Sequence, residues 1–212
     1  MYLYIKRSFD ILFGFILAFF SLPIMLLTAI LIKLEDPEGP VFYKAKRIGR
    51  NNSIFNLYKF RSMIVHTEKD GIRLYDNDRI LKCGKYIRKF SIDELPQILN
   101  ILKGEMSFIG PRPLPEKYLD YIKDEELTRH KARPGISGLA QVTGRNYLSW
   151  DKKFELDIKY VNNINFLLDA KIFVLTLKNI FIKQDVTVYS KDQTIKSLYD
   201  VRDKIKRISE TY

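Results

Sequence analysis

Asp93 and Glu94 are adjacent carboxylates in Ser91-Ile92-Asp93-Glu94-Leu95-Pro96-Gln97, a pairing suited to nucleophilic or acid–base work. Two local readings compete for this stretch. Ser91 and Glu94 fit an S-x-x-E capping box, which needs no function. That choice puts Pro96 at the fifth helical position, where its missing N–H costs a hydrogen bond; Asp93 as N-cap puts Pro96 harmlessly in the first turn. A carboxylate at a helix mouth is kept ionised by the dipole, and the same free N–H groups attract phosphate oxygens. The second reading predicts that nucleophile and anionic electrophile are drawn to one place. As neighbours on one helix, the two carboxylates are expected to point to different sides and take different tasks.

Cations and tight turns surround this pair. Arg88 lies five residues upstream, and Gly110-Pro111-Arg112-Pro113, Arg133-Pro134-Gly135 with Gly138, and Gly144-Arg145 follow. Arg112 has a stiff backbone on both sides, which suits a guanidinium meeting phosphate oxygens in a fixed bidentate geometry. One such Arg reads as an exposed extended linker; Arg112, Arg133 and Arg145 together with the acidic pair predict a phosphate site. No G-x-x-x-x-G-K-[ST] or G-x-G-x-x-G occurs, which argues against an ATPase or a Rossmann dinucleotide enzyme.

Composition narrows the partners. The 212 residues carry 36 Lys+Arg against 25 Asp+Glu, a net charge of +11, so nucleic acid, phosphates and acidic lipid are the candidate partners. Hydrophobic residues at 46%, with 10 Gly and 8 Pro, exclude wholesale disorder and collagen-like repeats. The length favours one domain or one domain with an appendage. Cys83 is the single cysteine, and His66 and His130 are far apart, so neither a disulfide framework nor a zinc site is available. Any metal chemistry must use oxygen ligands.

The elements that position these residues start with 22 uncharged positions, Ile11 to Ile32. As a straight helix this is about 33 Å, enough to span a bilayer. A signal peptide fits poorly, because the run is too long and no small-residue cleavage site follows. Pro23 divides it into halves, and Lys6 and Arg7 before it and Lys33, Lys44, Lys46, Arg47 and Arg50 after it pull both flanks to the cytoplasm. A membrane-dipping helix broken at Pro23, with Ser21 or Thr28 rebonding freed carbonyls, satisfies both flanks. Physics alone leaves the spanning and re-entrant readings open.

Beyond it, Pro37, Gly39 and Pro40 make a turn, and Val41-Phe42-Tyr43 and Ile54 to Phe60 read as strands of a β-hairpin with Arg47 to Asn52 as its loop. Between Gly39 and Thr67 there is no acid but Lys44, Lys46, Arg47, Arg50, Lys59 and Arg61, a solvated face or a headgroup or diphosphate surface. Leu95, Ile98, Leu99 and Leu102 form one apolar stripe of a helix closed by Lys103-Gly104. Further helices are predicted over Trp150 to Val161, with Phe154, Ile158 and Val161 on one face, and over Leu167 to Lys183. The latter reads either as a core helix or as one lying in the membrane interface, with Lys171, Lys178 and Lys183 snorkelling to headgroups. The tail from Gln184 is polar and reads as peripheral.

At these residues the chain resembles the bacterial sugar transferases, the small monotopic phosphoglycosyl transferases of the PglC type. The likeness runs from Lys6-Arg7-Ser8-Phe9-Asp10 to about Asp169. It is carried by Tyr58-Lys59-Phe60-Arg61-Ser62-Met63, by Ser91 to Gln97, by Leu102 to Pro113 and by Arg133 to Arg145. The resemblance implies transfer of a sugar 1-phosphate from a UDP-sugar to undecaprenyl phosphate with release of UMP and use of Mg²⁺. It implies Asp93 as the nucleophile of a covalent phosphosugar enzyme and Glu94 as its partner acid, with both as metal ligands. Arg88 and Arg112 match phosphate-contacting cations and Lys59 a basic residue near the site. It implies a re-entrant helix too, although the usual Ser-Pro bend is Leu22-Pro23 here.

The resulting expectation is an α+β protein: a re-entrant membrane helix (1–36), a catalytic domain (37–183) with a small β-hairpin and amphipathic interfacial helices around a cytoplasmic active site, and a polar tail (184–212). It would sit on the cytoplasmic face of a bacterial inner membrane. There it would meet a UDP-sugar carrying an N-acetylated amino sugar, undecaprenyl phosphate and inner-leaflet phospholipid, but no nucleic acid, with a homodimer left open. The alternatives are a membrane-tethered basic protein that binds anionic lipid or nucleic acid without catalysis, and a glycosyltransferase that releases UDP.

Overall fold

The computed structural model describes residues 1–65, 68–69, 72–73, 75, 77–144, 147–181, 198 and 200–202 of the chain. The fold is mixed: helices with short two-stranded sheets. Helix α1 runs Tyr2–Glu35 as one element with Pro23 inside it. It is long and apolar enough to cross a membrane, and Phe15, Phe19, Phe20, Leu26 and Leu27 face outward, as in a membrane anchor.

Pro23 does not divide α1 into two helices, contrary to the expected break. The hydroxyls do not act as expected either. Ser21 Oγ donates to Ala18 O at 3.4 Å and Thr28 Oγ1 to Ile24 O at 2.7 Å. The carbonyl that Pro23 deprives of an amide partner is that of Phe19, four residues back.

Strands β1 (Phe42–Ile48) and β2 (Ile54–Phe60) pair as the expected hairpin. β1 extends past the predicted Tyr43, with Ala45 and Ile48 buried and Lys44 and Lys46 exposed. Asn51 and Asn52 turn the chain with φ of 53° and 61°, a left-handed conformation that Asn tolerates. Strands β3 (Glu68–Lys69) and β4 (Ile72–Arg73) form a minimal antiparallel pair.

Two compact units are present. The first comprises Met1–Lys6, Lys46–Phe55 and Glu105–Tyr212, and the second Arg7–Ala45 and Asn56–Gly104. In the second, Ile32, Phe60, Leu81 and Ile87 make a core joined by Met25, Ala29, Ile92 and Leu95. Helices α2 (Lys82–Lys89) and α3 (Gln97–Lys103) both bond to α1 there. The Glu35 carboxylate accepts the amides of Lys82 and Cys83, satisfying free N–H groups at the start of α2. Arg7 donates to Ile101 O (2.6 Å) and Leu102 O (3.0 Å), closing the end of α3. Gly14 leaves room for Leu102: a Cβ there would lie 2.8 Å from its Cδ2. Arg61 is internal, donating to the Asp36 carboxylate, Pro40 O and Met63 O. The acid-free block is therefore not a uniform outer face.

In the first unit, β5 (Ser107–Ile109) and β6 (Gly135–Ser137) pair in parallel, Ser107 opposite Gly135 and Ile109 opposite Ser137. Helix α4 (Leu139–Thr143) follows β6, then α5 (Trp150–Asn162) and α6 (Phe166–Phe181). α5 matches its predicted span, but its buried face is Phe154, Leu156, Asp157 and Tyr160, with Ile158 and Val161 only half-buried. α6 exposes Phe166, Leu167, Phe173, Val174 and Ile180 along one side, with Lys171 and Lys178 exposed among them. Asp169 on α6 is buried and accepts Tyr2 OH (2.6 Å), Lys6 Nζ (2.7 Å) and Tyr160 OH (2.8 Å). Most of the predicted tail lies outside the described residues. Leu198 is fully buried beside Ile48, Leu114 and Phe154, and Arg202 donates to Glu126 Oε1 at 2.6 Å, so these positions are not peripheral.

Candidate active site

Ser91 sets up the acidic pair by an unusual backbone. It adopts φ 56°, ψ 24°, a left-handed conformation that reverses the chain after α2, and its side chain makes no capping bond. Ile92–Glu94 then form a single 3-10 turn, and α3 begins only at Gln97 with Pro96 before it. Neither predicted cap forms: a residue in the left-handed region cannot be the extended N-cap of a capping box, and Asp93 lies inside the turn, not at the mouth of α3.

That turn also overturns the expectation that the carboxylates point apart. Both face one ammonium: Lys59 Nζ, from β2, lies 3.3 Å from Asp93 Oδ2 and 2.7 Å from Glu94 Oε1. All three side chains are largely shielded, at 22%, 17% and 29% exposure for Lys59, Asp93 and Glu94. Burial raises the Asp93 carboxyl above the ordinary carboxylate range, and the Glu94 charge adds to this. Lys59 and Arg88 oppose it. What favours the ionised form is therefore this pair of cations, not the helix dipole invoked from the sequence.

Arg88 stands near the end of α2, exposed, with Nε donating to Ser62 Oγ at 2.8 Å. Asn100 is a further positioning group that pattern reading missed. It is fully buried on α3, accepts Tyr58 N at 3.0 Å through Oδ1 and donates through Nδ2 to Asn56 O at 2.7 Å, fixing β2 just before Lys59. The predicted apolar stripe holds only in part: Ile98 is buried, but Leu99 is 42% exposed, and Ile101, outside the stripe, is fully buried. An Asn amid Ile-Leu-Asn-Ile-Leu was the available signal.

Arg112 and Arg133 belong to the first unit, and Arg145 lies outside the described residues. The two proline-flanked segments interlock: Gly110 N donates to Ser137 O (2.8 Å) and Gly135 N to Pro111 O (2.9 Å). A Cβ on Gly135 would sit 2.1 Å from Gly110 N, so this contact requires glycine. Arg112 and Arg133 thus flank one bonded pair, Pro111 with Gly135. The Arg112 side chain is exposed, and its carbonyl accepts Arg129 Nη2 at 2.7 Å. Arg129 is buried against Asp157 Oδ2 (2.8 Å) and donates to His130 Nε2 at 3.0 Å, which leaves His130 Nδ1–H to donate to Asn52 Oδ1 at 2.6 Å.

Among the described residues, no three His, Cys, Asp or Glu side chains gather as a metal cluster. Asp93 and Glu94 do bring two hard oxygen donors to one cation, the set by which Mg²⁺ is held when substrate phosphates complete its shell.

Residues 1–183 match the family model for bacterial sugar transferases. EpsL of Bacillus subtilis, named an uncharacterized sugar transferase, is 44% identical over 182 residues, 86% of this chain and 90% of its own. A protein of Aeromonas hydrophila named UDP-N-acetylgalactosamine-undecaprenyl-phosphate N-acetylgalactosaminephosphotransferase is 44% identical over 188 residues, 85% of this chain and 44% of its own. The undecaprenyl-phosphate galactose phosphotransferase of Salmonella typhimurium is 35% identical over 193 residues, 82% of this chain and 40% of its own. The chain spans nearly all of the first and less than half of the other two.

Proposed function

The chain belongs to the bacterial sugar transferase family, and from that premise we propose that it is a polyprenyl-phosphate phosphoglycosyl transferase. It moves a sugar 1-phosphate from a UDP-sugar to undecaprenyl phosphate and releases UMP, a first membrane step in polysaccharide or glycoconjugate assembly. The observation that carries this reading is the convergence of Asp93 and Glu94 on Lys59, with Arg88 lowering the Asp93 carboxyl. The names of the Aeromonas and Salmonella relatives, sugar phosphotransferases acting with undecaprenyl phosphate, support the same reaction class. The Aeromonas name also supports an N-acetylated amino sugar as cargo.

In the reaction, an ionised oxygen of Asp93 attacks the phosphorus that bears the sugar. The bond to the bridging oxygen breaks, UMP leaves with that oxygen, and an acyl phosphate links Asp93 to the sugar. A phosphate oxygen of undecaprenyl phosphate then attacks the same phosphorus and frees Asp93, giving the polyprenyl diphosphate sugar. Arg88 binds phosphate oxygens, and Lys59 orients the two carboxylates and offsets their charge. Glu94 handles the proton or the metal beside Asp93. Asp93 and Glu94 would hold Mg²⁺, which would supply charge neutralisation.

The N-terminal helix enters the inner leaflet from the cytoplasmic face and returns by a bend at Pro23, where Phe19 O lacks its amide partner, without a break in the helix. Contacts at both ends support this. Arg7 bonds to the end of α3 and Glu35 to the start of α2. Both ends of α1 are thus tied to one compact unit that also holds the charged cluster of Lys59, Asp93 and Glu94, which supports their lying on one side of the membrane. The basic flanks agree.

The test incubates detergent-solubilised enzyme with Mg²⁺, a polyprenyl phosphate and a panel of UDP-sugars, and identifies the nucleotide released. UMP, best from an N-acetylated amino sugar and lost in Asp93→Asn, is expected. UDP would mean transfer of the bare sugar, and no nucleotide with any sugar would leave a binding protein.

A further inference from the structure

Ser62 occupies the Nε–H of Arg88, a donor that an end-on phosphate contact does not use. A guanidinium offers five N–H donors in a planar fork, with one bidentate edge formed by Nε and one Nη and another by the two Nη groups. Arg88 Nε donates to Ser62 Oγ at 2.8 Å, which closes the first edge. Among the described residues, neither Nη takes a protein hydrogen-bond partner, and the side chain is exposed. Arg61, in the same Lys59-Phe60-Arg61-Ser62 run, is the contrast: buried, it gives its donors to Asp36, Pro40 and Met63.

Ser62 is itself held by the helix that carries Arg88. Its carbonyl accepts Leu81 N at 3.0 Å at the entrance of α2. A Cβ on Gly84 would lie 2.3 Å from that carbonyl oxygen, so the first turn of α2 is pressed against Ser62. Ser62 is buried, and its hydroxyl and the base of Arg88 share one rigid frame.

We propose that Ser62 is a positioning residue for phosphoryl transfer, which by taking Arg88 Nε presents the Nη1–Nη2 edge to the donor diphosphate. The inference rests on the reading of Arg88 as a phosphate contact. A lost bond to a charged group corresponds to about a tenfold change in rate. Ser62→Ala is therefore expected to lower kcat/KM for UMP release about tenfold, mostly in kcat, with the melting temperature close to wild type.

The deciding measurement is the cycle of Ser62→Ala, Arg88→Ala and the double variant in the full chain. If Ser62 acts through Arg88, the double variant is no slower than Arg88→Ala. A further tenfold loss in the double variant overturns the proposal, because Ser62 then acts independently. An Arg88→Ala enzyme at the wild-type rate also overturns it, by removing Arg88 from the phosphate site. Failure of the wild type to release UMP would overturn the transferase reading itself. Should Ser62→Ala not fold, Ser62→Cys, near-isosteric and a weak acceptor, goes through the same cycle.

Discussion

Lys59 Nζ stands 3.3 Å from Asp93 Oδ2, and the same ammonium lies 2.7 Å from Glu94 Oε1, so one cation serves two adjacent carboxylates. As the proposed nucleophile, Asp93 must be ionised to attack phosphorus, and its pKa is raised above 3.8 by burial and by Glu94, against the pull of Lys59 and Arg88. The acid limb of kcat/KM is therefore expected above the ordinary Asp value. Lys59→Met removes a lowering charge and moves that limb to higher pH; Glu94→Gln removes a raising charge and moves it lower. Because the two carboxylates are coupled, the limb reports the pair. A pH–rate profile of each variant, taken on its residual activity, checks the directions.

Asp93→Asn separates chemistry from folding. A carboxyl whose folded pKa is raised contributes stability below its unfolded pKa, and this is lost as pH rises through the folded value. At neutral pH the ionised Asp93 is thus a cost to the fold. Asn is expected to abolish UMP release while leaving the melting temperature at pH 7 equal to or above wild type, a trade of stability for activity. Thermal denaturation of both proteins measures it, and a lower melting temperature in the variant would contradict the pKa direction.

His130 gives the opposite pH dependence. Burial, reinforced by the neighbouring Arg129 charge, depresses its pKa to about 3 from 6.5. The unfolded chain then binds a proton that the folded chain refuses. The stabilisation from neutral His130 is present above 6.5 and is lost progressively as pH falls towards about 3, at up to about 1.4 kcal/mol per pH unit. Urea denaturation at pH 7 and pH 5 should show this loss, and His130→Gln should flatten it at some cost at pH 7, where the bonds to Asn52 and Arg129 are weakened.

What was legible in the sequence is local. β2 was bounded at both ends because Phe55, Leu57 and Phe60 reach the core while turn residues flank the run, and α5 followed from its apolar spacing. The acidic pair and its cations were found by residue type and by resemblance to a family, but their geometry was not. Period and capping rules assume that a helix starts where a cap is available, and Ser91 instead turns left-handed and spends three residues in a 3-10 turn. Polar hubs escaped for another reason. Asp169 gathers Tyr2, Lys6 and Tyr160, and Asn100 serves two backbone groups of β2, across separations that no local window reads.

Asn100 offers a test of how the hairpin supports the site. Asn100→Ala leaves Tyr58 N and Asn56 O without their side-chain partner beside a buried face, and each such loss costs roughly 1–3 kcal/mol. Asn100→Asp keeps one bond but sets a carboxylate oxygen against Asn56 O. Both variants should unfold at lower denaturant and release UMP more slowly, because β2 carries Lys59 directly after Tyr58. Activity unchanged in a folded Asn100→Ala would separate the hairpin register from the site.

The topology of α1 can be read by thiol labelling without removing the native cysteine. Burial, with the Glu35 carboxylate beside it, pushes the Cys83 thiol up to about 11, so only about one molecule in ten thousand is thiolate at pH 7. Cysteines placed at Leu3 and Leu34, both exposed, keep ordinary reactivity and flank the apolar run. In right-side-out and inverted vesicles, a membrane-impermeant maleimide should reach both positions from the cytoplasmic face only, because Arg7 and Glu35 tie the two ends of α1 to one compact unit that carries the charged cluster. Labelling from opposite faces would make α1 a spanning helix and overturn the re-entrant reading.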